Sequence, residues 1–249
     1  TARMVFQGRY MFVVSTGGNA LDSFDISNPL STPARLATRA TGAGPFGIAI
    51  QSKFVYVISN TDSLLEIYDI SNPSSIPAKL NAAGTVSSPR GIAVLGRYAY
   101  IATGNNLSIW DVNDPTTPTQ VVLFPLSMLT SEGVTVRGDY VFITGTNSDQ
   151  VQIVDVSVKA SPVSLGVVST AFNTGSGAPG SPRYIQARRN NLFVGNIGGT
   201  AVNQFVIYDL RGFSIPGLRA GGVDTDSLEV EGSATIDNSL IVKGGSTLN

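Results

Sequence analysis

Short apolar runs of four to six residues recur along the chain, separated by clusters of Gly, Asn, Asp and Pro. The pattern is clearest around residue 100. Gly91-Ile92-Ala93-Val94 suits an inner strand buried on both faces. After the turn Gly96-Arg97 comes Tyr98-Ala99-Tyr100-Ile101-Ala102, and after Gly104-Asn105-Asn106 comes Leu107 to Val112. Asp114-Pro115-Thr116-Thr117-Pro118 turns once more, into Gln120 to Phe124. Runs of this length, rich in β-branched and aromatic residues and bounded by turn formers, predict strands. Gly and Asn suit the turns because they tolerate positive φ, and Pro because its φ is already set.

The third of these strands is repeated. Leu107-Ser108-Ile109-Trp110-Asp111-Val112-Asn113-Asp114-Pro115 recurs as Leu65-Glu66-Ile67-Tyr68-Asp69-Ile70-Ser71-Asn72-Pro73 and as Leu21-Asp22-Ser23-Phe24-Asp25-Ile26-Ser27-Asn28-Pro29. Weaker copies are Val151 to Ser157 and Phe205 to Leu210. The repeated aspartates, Asp25, Asp69, Asp111, Asp155 and Asp209, lie 44, 42, 44 and 54 residues apart. A period in the forties with several short strands per repeat marks a propeller or a similar array. In that register the inner strands are Met4–Phe6, Gly47–Ile50, Gly91–Val94, Gly133–Val136 and Tyr184–Ala187. Outer strands are expected near Arg35–Thr38, Lys79–Ala82, Gln120–Phe124, Ser164–Val168 and Ile215–Arg219. The predicted fold is all-β: a five-bladed β-propeller of four-stranded blades over residues 1–220.

Composition narrows the function classes. The 249 residues carry a net charge of −1 and no long basic run, whereas phosphate binding needs clustered Lys and Arg, so nucleic acid is not an expected partner. There is no Cys and no His, which removes disulfides, thiolate metal sites, the commonest general base and the commonest metal ligand. No apolar run reaches the roughly 18 residues that would span a membrane as a helix. No signal-peptide pattern is present, and the chain opens at Thr1 inside a strand-like pattern, which suggests a processed or partial piece of something longer. No cofactor is expected.

The repeated aspartates end a strand and enter a turn. Their carboxylates can accept hydrogen bonds from nearby backbone N–H groups, which gives them a structural reason to recur. A ring of metal-binding aspartates is the rival reading, but each copy supplies one carboxylate, and hard cations want several converging oxygens. No metal site is expected. The strand-Asp-(Ile/Val)-Ser unit of Val151-Gln152-Ile153-Val154-Asp155-Val156-Ser157, with its stronger forms at Asp25 and Asp69, resembles the LVIVD-repeat β-propellers. The resemblance covers about residues 1–220. It implies surface or extracellular binding modules of varied role. Blade 5 departs from it, since Asp209 is followed by Leu210-Arg211-Gly212 without Ser-Asn-Pro.

From Gly221 the spacing changes to six residues. Leu228-x-Val230-x-Gly232-Ser233 is followed by Ala234-x-Ile236-x-Asn238-Ser239 and Leu240-x-Val242-x-Gly244-Gly245. Two alternating inward positions and a Gly or Asn corner predict a β-helix or triangular β-prism over residues 221–249, behind a Gly-rich linker. So few hexads bury too little to stand alone, so the expectation is either that the chain continues beyond Asn249 or that three chains wind together. The stretch resembles the hexad-rich stalks of phage and viral tail fibres, which implies a homo-oligomer, a trimer, formed through residues 221–249. An appended β-hairpin is the plain alternative.

Candidate site residues sit in the loops entering the inner strands. Phe46, Arg90, Glu132 and Arg183 fall at equivalent repeat positions and are expected to ring one mouth of the channel. Arg suits carboxylate and phosphate recognition. The plainer reading is that Glu132 merely neutralises two arginines. Two longer loops, Ser169–Pro182 and Gly195–Gln204, are expected on that same face, against a stalk, a neighbouring subunit or a ligand. Asp224 and Asp226 are paired only by spacing, in a Gly-rich linker. A serine triad of the usual form needs a histidine that is absent. The expectation is a protein that is not an enzyme: a propeller head for adhesion or display, on a viral particle, phage tail or extracellular appendage, recognising a cell-surface glycan or protein receptor. A monomeric extracellular propeller binding its ligand at the channel mouth is the second reading. A carbohydrate-active enzyme is the third, and it would need two carboxylates at a set separation.

Overall fold

The computed structural model describes residues 2–76, 78–85, 88–128, 130–146, 148–170, 181–197 and 204–210. The polypeptide divides into two units, Thr1–Leu210 and Arg211–Asn249. The second lies outside the described residues, as do the expected hexad stalk, the outer strand at Ile215–Arg219, the Asp224/Asp226 pair and most of both long loops.

The strands fall where the hydrophobic runs predict. Blade 1 is β1 (Ala2–Gln7), β2 (Tyr10–Ser15), β3 (Ala20–Asp25) and β4 (Ala34–Ala40). Blade 2 is β5 (Pro45–Gln51), β6 (Phe54–Ser59), β7 (Leu64–Asp69) and β8 (Asn81–Gly84). Blade 3 is β9 (Pro89–Leu95), β10 (Tyr98–Thr103), β11 (Asn106–Asp111) and β12 (Thr119–Pro125). Blade 4 is β13 (Ser131–Arg137), β14 (Tyr140–Gly145), β15 (Gln150–Asp155) and β16 (Val163–Ser169). Blade 5 shows β17 (Ser181–Arg188), β18 (Asn191–Ile197) and β19 (Gln204–Asp209). Each sheet is an antiparallel meander. The protein is a five-bladed β-propeller. One outer strand departs from expectation: β8 begins at Asn81 rather than Lys79, and the Lys79 ammonium meets Glu66, 2.7 Å away.

The recurring aspartates do the structural job their position suggests. Oδ1 of Asp25, Asp69, Asp111 and Asp155 accepts the backbone N–H two residues on, from Ser27, Ser71, Asn113 and Ser157, at 2.9, 2.8, 3.0 and 2.7 Å. Asn28, Asn72 and Asp114 repeat the device one turn later, at 3.0, 3.1 and 2.9 Å. These side-chain turns close the chain between the third and fourth strands. The Asp209 side chain lies outside the described residues.

The core lies in the joints between blades. Phe12, Val14 and Leu21 on blade 1 meet Ile48, Val55, Val57 and Tyr68 on blade 2. Leu65 and Ile67 meet Ile92, Ile101 and Trp110. Leu107 and Ile109 meet Val134, Val141 and Ile143. Each such side chain, fully buried, contributes roughly 1.5–3 kcal/mol. Because both faces of a blade are covered, strand residues two apart are buried along with their neighbours, so residues 54–58 of β6 read as a continuous apolar run rather than an alternation.

Candidate functional site

The inner strands come within backbone distance of one another near the end of the channel where the chain enters them. Glycine makes this possible. A Cβ on Gly91 would lie 2.2 Å from the Glu132 carbonyl oxygen, and one on Gly133 would lie 2.6 Å from that of Arg183. Next to the equivalent glycines each strand carries one extra residue. Pro45 and Gly47 pair with consecutive residues of β6, which leaves Phe46 as a bulge. Arg90 and Arg183 are extruded in the same way, and the register of β13 shifts between Ser131 and Val134, around Glu132. A β-bulge re-aims its side chain out of the pleat. In blade 4, Thr144 pins it: the Gly133 N–H donates to Thr144 Oγ1 at 2.8 Å.

Four sequence-predicted residues are therefore brought together, and the structure adds two more. Arg3 pairs with Val14 and Tyr184 with Gly195, the register occupied in blades 2 and 3 by Gly47 and Gly91. Where the inner blades carry glycine, blades 1 and 5 carry large side chains that reach into the mouth. That substitution is the signal for Arg3 and Tyr184, and it is read by counting back from the turn.

Glu132 is buried, and three guanidiniums surround it. Its carboxylate oxygens are 3.6 Å from Arg3 Nη2, 3.5 Å from Arg90 Nη1 and 3.7 Å from Arg183 Nη1. The neutralising pair expected from the sequence is thus a group with three cations to one anion. Arg3 also lies over the Phe46 ring at 4.5 Å and the Tyr184 ring at 5.6 Å, and Arg90 over Phe46 at 5.8 Å. Burial pulls the Arg3 guanidinium below its ordinary value, and Glu132 opposes that shift. The Nε atoms of Arg3 and Arg183 are buried and have no hydrogen-bond partner.

The buried carboxylate of blade 2 behaves differently. Glu66 accepts the Gly42 N–H at 3.0 and 2.8 Å, the Ser59 hydroxyl at 2.8 Å and the Lys79 ammonium at 2.7 Å. Its oxygens are committed to holding the loop that enters β5. Gln152 does the same in blade 4, accepting the Ser127 N–H at 2.8 Å. Glu66 is a structural anchor, whereas Glu132 makes only long ion pairs at 3.5–3.7 Å with its arginines. Among the described residues no three His, Cys, Asp or Glu side chains come together as a metal site would need. No helix there is long and apolar enough to cross a membrane.

LVIVD repeats match the chain over residues 46–83, 88–124 and 130–170, which are blades 2, 3 and 4. No curated protein matches it. Solved structures share the fold at low identity. The periplasmic gluconolactonase of Pseudomonas aeruginosa superposes with a TM-score of 0.65 at 12% identity, covering 85% of this chain and 72% of its own. A candidate 6-phosphogluconolactonase from Bacteroides fragilis gives 0.58 at 16%, covering 68% and 54%. The computationally designed Ika8 protein gives 0.59 at 10%, covering 83% and 57%. The chain thus spans little more than half the length of the last two. At such identities the likeness is one of fold. It still overturns the expectation that the chain is not an enzyme. Proteins named as lactonases, which are enzymes, are built on this propeller. Neither the fold nor the absence of a histidine triad excludes catalysis.

Proposed function

We propose that the propeller is a recognition head that takes its ligand at the channel mouth formed by Phe46, Arg90, Glu132 and Arg183, with Arg3 and Tyr184. One observation carries this reading. The scaffold repeats from blade to blade, while the bulge residue changes from Phe46 to Arg90 to Glu132 to Arg183, and all four meet at one place. A repeated frame whose differing side chains converge at one place has the form of a binding surface. The role we assign is adhesion or receptor binding, with a cell-surface glycan as ligand and the head displayed by a trimer formed through residues 221–249. This places it on a virion, a phage tail or another extracellular appendage.

A glycan array tests the recognition. Specific binding that falls at least tenfold in Arg90→Ala and Arg183→Ala, with unchanged thermal midpoints, supports it. A blank array counts against it. Sedimentation of the chain tests the display: a monomer at micromolar concentration overturns the trimer.

The lactonases favour a second reading at the same mouth, hydrolysis of a sugar lactone. A carboxylate could take the proton of an attacking water and guanidiniums could hold the developing oxyanion. Glu132 lies beneath the arginines, so a ligand meets guanidinium before carboxylate, which is why recognition comes first. Gluconolactone hydrolysis followed by acid release decides between them. Hydrolysis above buffer that disappears in Glu132→Gln supports the enzymatic reading.

A further inference from the structure

We infer that the channel mouth recognises the carboxylate of an acidic sugar, held between Arg3 and Arg183. This rests on the reading of the mouth as a sugar-binding site and names the group it binds.

The inference starts from an imbalance. Arg3, Arg90 and Arg183 share one carboxylate, and its ion pairs are 3.5–3.7 Å long. Arg9 meets Asp25 at 2.6 Å and Lys79 meets Glu66 at 2.7 Å; the other pairs as long as those at the mouth, Arg35–Asp22 at 3.9 Å and Lys53–Asp69 at 3.6 Å, have well-exposed cations, whereas Glu132 and Arg3 are largely buried. Glu132 is central enough to hold three guanidiniums near one another and too distant to saturate any of them. Like charges gathered this way repel, and burial adds the cost of desolvation. An incoming anion would relieve both.

The unpartnered donors indicate the shape of that anion. Arg3 Nε and Arg183 Nε are buried without an acceptor. A buried donor left unpaired costs about 1–3 kcal/mol, so a native site that keeps two of them has a reason to. The Nε–H forms part of the planar edge with which a guanidinium takes two oxygens side by side, the geometry of a carboxylate. Three cations and Glu132 leave an excess of two positive charges, which attracts an anion. Tyr184, half exposed at the rim, offers a flat apolar surface for the body of a sugar.

Calorimetric titration of the full chain at constant ionic strength tests this with three probes: sodium glucuronate, glucose and inorganic phosphate. The expected result is glucuronate bound at least tenfold more tightly than either of the others. Affinity for it should fall about tenfold in both Arg3→Gln and Arg183→Gln, fall less in Arg183→Lys, and weaken as NaCl rises. Circular dichroism should match the parent in each variant, which shows that the fold is kept. Glucose bound as tightly as glucuronate overturns the carboxylate inference and leaves the sugar-binding mouth standing. Phosphate bound more tightly overturns it as well. Glucuronate binding unchanged in both Gln variants places the site elsewhere and overturns both readings.

Discussion

Leu107 and Ile109 on blade 3, and Phe205 and Ile207 on blade 5, occupy the same two positions of the repeat. The first pair is fully buried, whereas Phe205 is 64% and Ile207 56% exposed. The opposite face shows the same contrast. Ile48, Ile92 and Val134 are 8–9% exposed, while Met4, their counterpart on blade 1, is 51% exposed. The inner strands pack as β1–β5, β5–β9, β9–β13 and β13–β17, and β17 does not pack on β1 in the same way. Blades 2, 3 and 4 each carry a glycine where the next inner strand comes close. Blades 1 and 5 carry Arg3 and Tyr184 there. A single Cβ on Gly91 would already sit 2.2 Å from the next strand's carbonyl oxygen, so Tyr184 cannot be approached as closely. The repeat decides which faces are apolar; the joint left uncovered is that between blades 5 and 1, where Tyr184 stands in place of glycine, whereas blade 1 packs on blade 2 although it carries Arg3.

Several substitutions would break or sharpen this contrast. Leu107→Ala should cost about 2–5 kcal/mol in urea unfolding, as large-to-small changes in a filled joint do. A loss below about 1 kcal/mol would show that the covered joints are not tightly packed. Gly91→Ala forces a methyl group onto backbone and should cost roughly 1–3 kcal/mol. Tyr184→Ala, at the matching register, should leave the unfolding midpoint almost unchanged. Equal losses at the two positions would remove glycine as the cause of the difference.

Asp69→Ala removes one turn closure and should cost about 0.5–1.5 kcal/mol without altering ligand affinity. These turns also set an acid limit. Hydrogen bonds from Ser27 and Ser71 hold the Asp25 and Asp69 carboxyls below their ordinary range, and the Arg97 guanidinium does the same for Asp111. A carboxyl with a depressed folded-state pKa stabilises the fold above its unfolded value, near pH 4. That contribution is lost as pH falls through the folded value. The unfolding midpoint should therefore drop as pH falls below about 4, and Asp69→Ala should show a shallower drop than the parent. The smallest effect is expected for Phe205→Ser. It should change stability by less than about 0.5 kcal/mol, in keeping with substitutions outside packed joints, and lower the binding of a hydrophobic dye.

Much of this was legible beforehand. The 44-residue spacing of the aspartates, the four strand runs per repeat and the turn role of Asp25 and Asp69 all follow from residue order, because a strand-turn unit is local. The equivalence of Phe46, Arg90, Glu132 and Arg183 was also legible, since equivalent positions in a propeller face the same axis. The start of β8 at Asn81 rather than Lys79 was not legible, since strand ends depend on pairing with β7. Counting back from the turn aligns Arg3 and Tyr184 with Gly47 and Gly91; that large side chains there reach the mouth depends on contacts between blades, which residue order does not show.

By itself the sequence determined the kind of strand, the number of blades and the chemistry available at the mouth, all of which depend on neighbours close along the chain. The tertiary structure alone decided which apolar faces are covered, that three arginines share Glu132 rather than two, and that Arg3 and Arg183 keep buried donors without acceptors. Those outcomes depend on how closely inner strands from different blades approach, and that distance is set by packing between residues some forty to one hundred and eighty positions apart.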